Sequence, residues 1–342
     1  MSAETPRRIH CETPTSPLVS SGIVTESRRG ADADAATAKE CAWTTLYVKD
    51  ATRGRCSRVT VHHYGATVCA WTEHALDSPT VGEERLLKSH LFLSELSHVD
   101  GSRPLRGGIP LCFPQFGPGA LPQHGFARNS TWQLAESVAS DRSVSVSFRL
   151  KDNEHTRSLW PHSFETTLTV TLNGADKSTL TLQWSVRNSS CGSPSTAADA
   201  ATTFSFTNCL HPYFAVHDVS KVRVRDVSNL LCRHKTRDNV EIRTDADEHE
   251  LSFAAEVDVV CYDAPDVMNI LEQGRPLMRV TKKGFSEFVI WNPWSEKAKA
   301  MSDFADDEYQ RMVCLEPGVI RTPHSLAPGD SWTGVMLLEP SY

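Results

Sequence analysis

The sequence of 342 residues contains no uninterrupted apolar run close to the roughly 18 residues that a transmembrane helix needs. It also has no excess of positive charge, because 35 Lys and Arg residues are outnumbered by 42 Asp and Glu residues, for a net charge of -7. Neither a membrane partner nor a nucleic-acid partner is therefore expected. The 39% hydrophobic and 23% charged residues are typical of a globular protein with a sizeable core.

The ten cysteines include no C-x-x-C pair, and no histidines have the spacing of a zinc site. Only His62 and His63 are adjacent histidines, and a metal site usually needs a third and a fourth ligand. We therefore expect no metal. Scattered cysteines without a signal peptide favour free thiols, in the cytoplasm or another reducing intracellular compartment.

Large apolar side chains are scarce in residues 1–40, which are rich in Ser, Thr, Ala and Pro. Such a segment buries too little surface to offset the entropy lost on ordering. We expect a disordered N-terminal extension over 1–40, followed by a single domain over 41–342. A transit peptide is the alternative, but this segment contains more acidic residues than such presequences do.

Long helical patterns are also scarce, whereas short alternating segments are frequent. In residues 143–150 apolar side chains alternate strictly with polar ones, and residues 166–172 and 180–186 repeat the pattern on either side of a turn. Alternation of this kind is typical of strands with one buried face. Many short strands separated by turns predict an all-β sandwich or barrel.

The segment with the most unusual composition is residues 106–117, continued by residues 121–129. Together they contain four glycines and three prolines among large apolar residues, a composition that suits neither a helix nor a plain strand. We interpret the segment as a rigid loop that holds Arg106, His124 and Arg128 in place. A loop that crosses the core and carries ordinary surface arginines is the alternative.

Two further side chains are candidates for proton transfer. Glu316 follows apolar residues and precedes Pro317 and Gly318, so it is either a general base at the end of a buried strand or a partner in a structural ion pair. His211 stands in the segment LHPYF, where it is either a hydrogen-bonded core residue or a general acid.

The glycine-rich loop also carries a resemblance. RGGIPLCFPQFG followed by LPQHGFARNSTW resembles the signature of the glucose-6-phosphate 1-epimerases, within the aldose 1-epimerase (galactose mutarotase-like) superfamily. Further matching blocks follow in the expected order: SLWPHSFE at 158–165, LHPYF at 210–214, EVD at 256–258, VIWNPW at 289–294 and CLEPG at 314–318. The matches span about residues 43 to 338.

This resemblance implies the large antiparallel β-sandwich of the galactose mutarotase-like type and the interconversion of α and β anomers by acid/base ring opening. It assigns Glu316 as the base and His211 as the acid. Asp258 would orient either the sugar hydroxyls or His211. No cofactor is implied.

The bound substrate would be a hexose 6-phosphate. Arg106 and Arg128 are expected to bind the phosphate, because guanidinium groups form charge-assisted and often bidentate hydrogen bonds to it. His124 would add a hydroxyl or phosphate contact. We also expect a monomer. An epimerase of free hexoses and a non-catalytic sugar-phosphate-binding sandwich are the alternative functions.

Overall fold

The computed structural model describes residues 9–12, 19–29, 40–76, 84–174, 177–190 and 202–341, and within them it is built almost wholly from antiparallel strands. In chain order these are β1 Ile9–Glu12, β2 Val19–Arg29, β3 Glu40–Asp50, β4 Arg55–His62, β5 Thr67–Leu76, β6 Glu84–Ser89, β7 Leu111–Cys112, β8 Gln133–Ser140, β9 Ser143–Lys151, β10 Phe164–Asn173, β11 Thr179–Asn188, β12 Phe204–Leu210, β13 Tyr213–Ala215, β14 Val222–Arg225, β15 Leu231–His234, β16 Val240–Arg243, β17 Glu250–Ser252, β18 Val257–Cys261, β19 Val267–Glu272, β20 Arg275–Lys283, β21 Glu287–Asn292, β22 Met312–Leu326 and β23 Ser331–Pro340.

The strands form three sheets. The first sheet holds β1 to β6 in chain order; the second, of nine strands, has the order β17-β14-β19-β20-β23-β11-β10-β9-β8; and the third, of eight strands, has the order β16-β15-β18-β21-β22-β12-β7, with β13 paired to β22. Neighbouring strands are antiparallel throughout these pairings. The predicted all-β antiparallel sandwich is confirmed.

The strands expected from alternation are present with the expected buried face. Val144, Val146 and Phe148 of β9 are each at most 1% exposed, as is Leu168 of β10. The hairpin that joins β10 to β11 pairs Leu168 with Trp184 across the two strands. Because successive side chains of a strand point to opposite faces, the polar residues between them remain at the outer surface of the nine-stranded sheet.

The main core receives side chains from all three sheets. Trp184 comes from the nine-stranded sheet and Phe206 from the eight-stranded sheet, and both rings pack against the ring of Trp332. Phe113, from the loop segment, packs against the same two aromatic side chains. The loop that carries the candidate site residues is therefore anchored in the main core.

The expectation for the N-terminus differs from the structure in two parts. Residues 9–12 form strand β1, which pairs with β2. Residues 19–29, also placed in a disordered extension, form β2, which pairs with β3 from Val19 to Arg29. Ile23 of this strand is 7% exposed and belongs to the main core, so one well-placed apolar residue and a long backbone ladder stabilise a segment of polar composition. Residues 1–8, 13–18 and 30–39 of the expected extension lie outside the described residues.

Helices are short in the described chain. The α-helices are α1 Glu154–Leu159 and α2 Trp294–Lys299, and single 3-10 turns occur at Ala127–Asn129, Val219–Lys221 and Glu308–Arg311. Within the described ranges, no helix has the length and apolar character needed to cross a bilayer.

Candidate active site

The glycine-rich loop connects the segment that follows β6 to the segment that carries the imidazole, between β12 and β13. The amide of Gly108 donates to the Phe92 carbonyl at 2.7 Å, and its carbonyl accepts from the amide of Tyr213 at 2.8 Å. Gly108 has a φ of +65°, and a Cβ at this position would collide with the Val68 carbonyl oxygen. Only glycine allows this close approach without strain, so the loop is held from both sides.

Glu316 lies on the face of the eight-stranded sheet opposite the main core, called the site face below. Leu315 points into the core, so its neighbours Cys314 and Glu316 point to the site face. The prediction that Glu316 stands at the end of a strand, where Pro317 and Gly318 would turn the chain, is wrong, because Pro317 continues β22 and pairs with Phe288 of β21. Two flanking strands therefore fix this carboxyl group in the middle of a long strand.

His211 follows β12 and presents its ring on the same site face. Its amide donates to the Pro110 carbonyl at 3.0 Å. The ring stacks on Tyr213 with centroids 4.8 Å apart and planes 10° from parallel, and it meets Trp291 edge-on at 5.8 Å. These contacts hold the imidazole in one orientation.

The imidazole and the carboxyl group are direct neighbours. Nδ1 of His211 lies 3.4 Å from Oε1 of Glu316, and the two side chains are 11% and 1% exposed. Both atoms are buried without a hydrogen-bond partner among the described residues. The pair is within ion-pair distance but lacks the alignment of a hydrogen bond, so each atom is available to a third group.

Burial changes the protonation of this pair. Desolvation raises the pKa of the Glu316 carboxyl well above its ordinary value, with the nearby Lys235 acting in the opposite direction. Desolvation also lowers the pKa of His211, and the positive charges of Arg106 and Arg128 lower it further. Both shifts favour neutral groups, so the pair holds one proton on the carboxyl, which a short transfer would place on the imidazole.

Arg106 is close to the pair, but other groups already bind its guanidinium. Nε donates to Oδ1 of Asp303 at 3.2 Å, and Nη1 donates to the hydroxyl of Tyr213 at 3.2 Å. These two partners raise the pKa of Arg106 above its ordinary value. Arg106 therefore positions Tyr213, against which His211 stacks.

Arg128 has fewer of its N–H groups engaged in hydrogen bonds than Arg106 has. Its Nη2 donates to the Gln123 carbonyl at 2.8 Å, while its Nε is buried with no hydrogen-bond partner in the described chain. Desolvation is the main cause that lowers the pKa of this guanidinium. A half-buried and incompletely bonded guanidinium is a strong donor for an anion that enters the cleft.

His124 lies beside His211 in the site. Its ring centroid is 5.9 Å from that of His211, and its Nδ1 accepts from the amide of Gly117 at 3.2 Å. Burial, followed by the charges of Arg128 and Lys235, lowers its pKa to about 3. His124 is thus a neutral imidazole at the mouth of the site.

Asp258 belongs to the same site face, since Val259, its neighbour in β18, points into the main core. Its Oδ1 lies 2.9 Å from Nζ of Lys235, which also lies over the ring of Phe116 at 4.8 Å. No hydrogen bond or ion pair joins Asp258 to His211 in the described ranges. Of the two roles expected for Asp258, this geometry favours contact with sugar hydroxyls.

The fold thus brings all six predicted site residues to one region: Arg106, His124, Arg128, His211, Asp258 and Glu316. Sequence reasoning missed Lys235 and Asp303, which pair with two of them. Lys235 stands in a charge-rich segment without a distinguishing pattern, and Asp303 lies in a turn after α2. Tyr213 was within a matching block, yet its role as a support for both His211 and Arg106 depends on the folded geometry.

Comparison with known proteins decides the family. The model of the aldose 1-epimerase family matches residues 50–339. The chain belongs to the aldose 1-epimerase family. The resemblance inferred from the loop motifs is therefore confirmed.

Two relatives are similar in sequence to this member of the aldose 1-epimerase family. A Cenchrus ciliaris protein is 36% identical over 289 residues, covering 82% of this chain and 80% of its own length. A Salmonella typhimurium protein is 32% identical over 249 residues, covering 71% of this chain and 76% of its own length. Both carry the provisional name glucose-6-phosphate 1-epimerase.

Solved structures show the same fold. The structure of YeaD from Salmonella typhimurium, provisionally described as a mutarotase, has a TM-score of 0.70 at 24% identity, covering 98% of this chain and 97% of its own. Galactose 1-epimerase from Lactobacillus acidophilus has a TM-score of 0.56 at 12% identity, covering 93% and 99%. The predicted galactose mutarotase-like architecture is confirmed.

Proposed function

We propose that this member of the aldose 1-epimerase family interconverts the α and β anomers of glucose 6-phosphate. Both curated relatives described above carry that activity in their provisional names. The observation that carries the proposal is the separation of 3.4 Å between the buried His211 and Glu316 side chains.

The side-by-side arrangement suits the chemistry of a hemiacetal. Opening the ring requires a base to take the proton of the O1 hydroxyl and an acid to protonate the ring oxygen O5. Both oxygens are bonded to the same carbon, so the acid and the base must act at adjacent points. Glu316 is the base and His211 the acid, in the tautomeric state of the pair that places the shared proton on the imidazole.

The proton then returns by the reverse route. After the ring opens, rotation about the C1–C2 bond presents the other face of the carbonyl to O5. Reclosure returns one proton from Glu316 to O1 while His211 takes one back from O5. No net proton is gained or lost, which agrees with a pair that holds a single proton.

The positive groups around the pair favour a phosphorylated sugar. Arg128 contributes the guanidinium with spare donors, and Arg106 adds a positive charge nearby, although Asp303 neutralises part of it. His124 and Asp258 are placed to contact the sugar hydroxyls. In this assignment the phosphate binds at Arg128 and the anomeric carbon lies over His211 and Glu316.

The substrate is tested by following the approach to anomeric equilibrium with glucose 6-phosphate and with free glucose under the same conditions. We expect a much larger acceleration for the phosphorylated sugar. Equal acceleration of both would indicate an epimerase of free hexoses. No acceleration of either, with binding of glucose 6-phosphate retained, would indicate a sugar-phosphate-binding protein. We also propose that the protein acts as a monomer, to be checked by sedimentation.

A further inference from the structure

A group of three side chains on the site face has the composition of a metal site. Nδ1 of His211, Sγ of Cys314 and a carboxylate oxygen of Glu316 all lie within 4.8 Å of one another. Cys314 and Glu316 are at most 1% exposed, and His211 as a whole residue is 8% exposed. Nδ1 of His211 and Oε1 of Glu316 have no hydrogen-bond partner among the described residues and face each other. Two unpartnered ligand atoms and a thiol thus converge on one point.

We propose that His211, Cys314 and Glu316 reversibly bind a thiophilic divalent cation, zinc in particular, and that the bound ion blocks proton transfer. Imidazole, thiolate and carboxylate are the ligands that zinc takes in proteins, with bonds of about 2.0 to 2.3 Å. Tetrahedral bonds of that length place neighbouring ligand atoms roughly 3.3 to 3.7 Å apart. The separation of 3.4 Å between His211 and Glu316 already fits. Cys314 needs to approach by no more than about 1 Å, within the reach of a side-chain rotation.

The charges of the complex balance. On binding, the Cys314 thiol and the Glu316 carboxyl each release one proton to solvent, and their sulfur and oxygen atoms form bonds to the metal. The thiolate and the Glu316 carboxylate together neutralise the two positive charges of the ion. A neutral complex is the form that a buried site favours, because burial of net charge is costly.

The surrounding cations limit the affinity without preventing binding. Asp303 lies beside Arg106 at 3.2 Å, and Asp258 lies beside Lys235 at 2.9 Å. Arg128 remains as the positive group without a carboxylate in the described contacts, so it opposes a cation but favours the phosphate of a substrate. Metal and sugar should nevertheless exclude one another, because the ion would occupy the His211 and Glu316 atoms that contact the anomeric centre.

The inhibition of anomer exchange by the bound metal rests on the proposed function, but the binding of the metal does not. A bound ion would occupy the nitrogen and the oxygen that exchange protons with the sugar. The metal can be titrated without any sugar present, so failure of the epimerase assignment and failure of this proposal give different results.

The test uses the full chain, treated with a chelator and then titrated with Co²⁺ or Zn²⁺ alone. We expect one equivalent of Co²⁺ to give the near-ultraviolet absorption of a cobalt–thiolate bond, and Zn²⁺ to displace it and to stop anomer exchange. Cys314→Ser should lose this absorption, weaken Zn²⁺ binding by about 10-fold or more, and retain exchange activity that Zn²⁺ no longer inhibits.

The matched control is Cys69→Ser, which removes a buried thiol from the first sheet, where Sγ lies 3.3 Å from the Thr60 carbonyl oxygen. This variant should bind Co²⁺ as the unmodified chain does. Glu316→Gln provides a second test if Cys314→Ser fails to fold, and it should also weaken Zn²⁺ binding by at least about 10-fold. The proposal is overturned if the wild type shows no cobalt–thiolate absorption, or if neither substitution weakens binding.

Discussion

Nδ1 of His211 and Oε1 of Glu316 face each other across 3.4 Å in a buried space. Residues more than a hundred positions apart in the sequence therefore form a single unit that can hold one proton in either of two places. Burial keeps both groups close to neutral, and a sugar that donates a hydroxyl to the carboxylate and accepts from the imidazolium would stabilise the ionic form. Activation of the pair is thus coupled to substrate binding.

Replacing Glu316 by Gln should reduce the anomer exchange rate by about 100-fold or more, because it removes a positioned proton acceptor while keeping the size of the side chain. The rate is measured by nuclear magnetic resonance exchange between the anomers of glucose 6-phosphate, with the spontaneous rate subtracted. Glu165→Gln is the control, since its carboxylate pairs with Lys151 at 3.0 Å on the nine-stranded sheet. An unchanged rate in Glu316→Gln would exclude this residue as the base.

Replacing Arg128 by Ala should weaken binding of glucose 6-phosphate by roughly 10- to 100-fold, the effect of one or more charge-assisted hydrogen bonds. Binding of free glucose should change much less, because it carries no phosphate. Calorimetric titration with both sugars measures the difference, and Arg187→Ala, at an exposed position of β11, serves as the control. Equal losses for both sugars would give Arg128 an architectural role instead.

His124 should make the protein less stable in acid. Its pKa is about 3 in the folded protein, mainly through burial, against an ordinary value near 6.5. Between these two values the unfolded chain binds more protons than the folded one, so stability is fully present above about pH 6.5 and falls as the pH is lowered towards 3. His124 alone accounts for a slope of up to about 1.4 kcal/mol per pH unit in that window.

The measurement is chemical unfolding of the wild type and of His124→Asn at several pH values. Asn tolerates the positive φ of 67° at this position, so the backbone conformation is retained. The slope of the free energy of unfolding against pH should be shallower in the variant by up to about one proton. Parallel slopes in the two proteins would contradict the assignment of acid sensitivity to this imidazole.

Replacing Gly108 by Ala should lower both stability and activity. The new Cβ would meet the Val68 carbonyl oxygen and would also strain a backbone with φ of +65°, so we expect a loss of more than about 1 kcal/mol in the free energy of unfolding. Gly274→Ala is a matched control, because its φ is +75° and a Cβ there meets nothing within 4 Å. Only the first substitution should reduce anomer exchange. Similar effects of both on activity would argue against the role assigned to the loop.

The sequence predicted those parts of the fold that depend on local pattern. Alternation in residues 143–150 identified β9 and its buried face, because one buried face determines the register of a strand. It did not identify β2, whose residues pair over their whole length with β3 although few of them are apolar. Backbone pairing with a partner elsewhere in the chain leaves little trace in composition.

The same limit applies to the site. The six predicted residues occurred in recognisable blocks, whereas Lys235 and Asp303 did not, and the pairing of each depends on long-range folding. The prediction that the strand ends at Glu316 was wrong because it relied on Pro317 and Gly318, and a Pro-Gly pair usually marks a turn. In the structure it continues β22, and the neighbouring Cys314 reaches the site only through the alternation of that strand. The three residues proposed to bind metal therefore have no recognisable spacing in the sequence.

The hydrogen bonds of Gly108 and Ile109 make the first sheet a support for the catalytic pair. The amide of Ile109 donates to the Val68 carbonyl of β5 at 2.8 Å, and the carbonyl of Gly108 accepts from the amide of Tyr213, whose ring stacks on the His211 imidazole. A displacement of the first sheet would therefore tilt the imidazole relative to its carboxyl neighbour. The edge where this sheet meets the loop is remote from the sugar. Substitutions there would change the turnover rate without altering any group that touches the substrate.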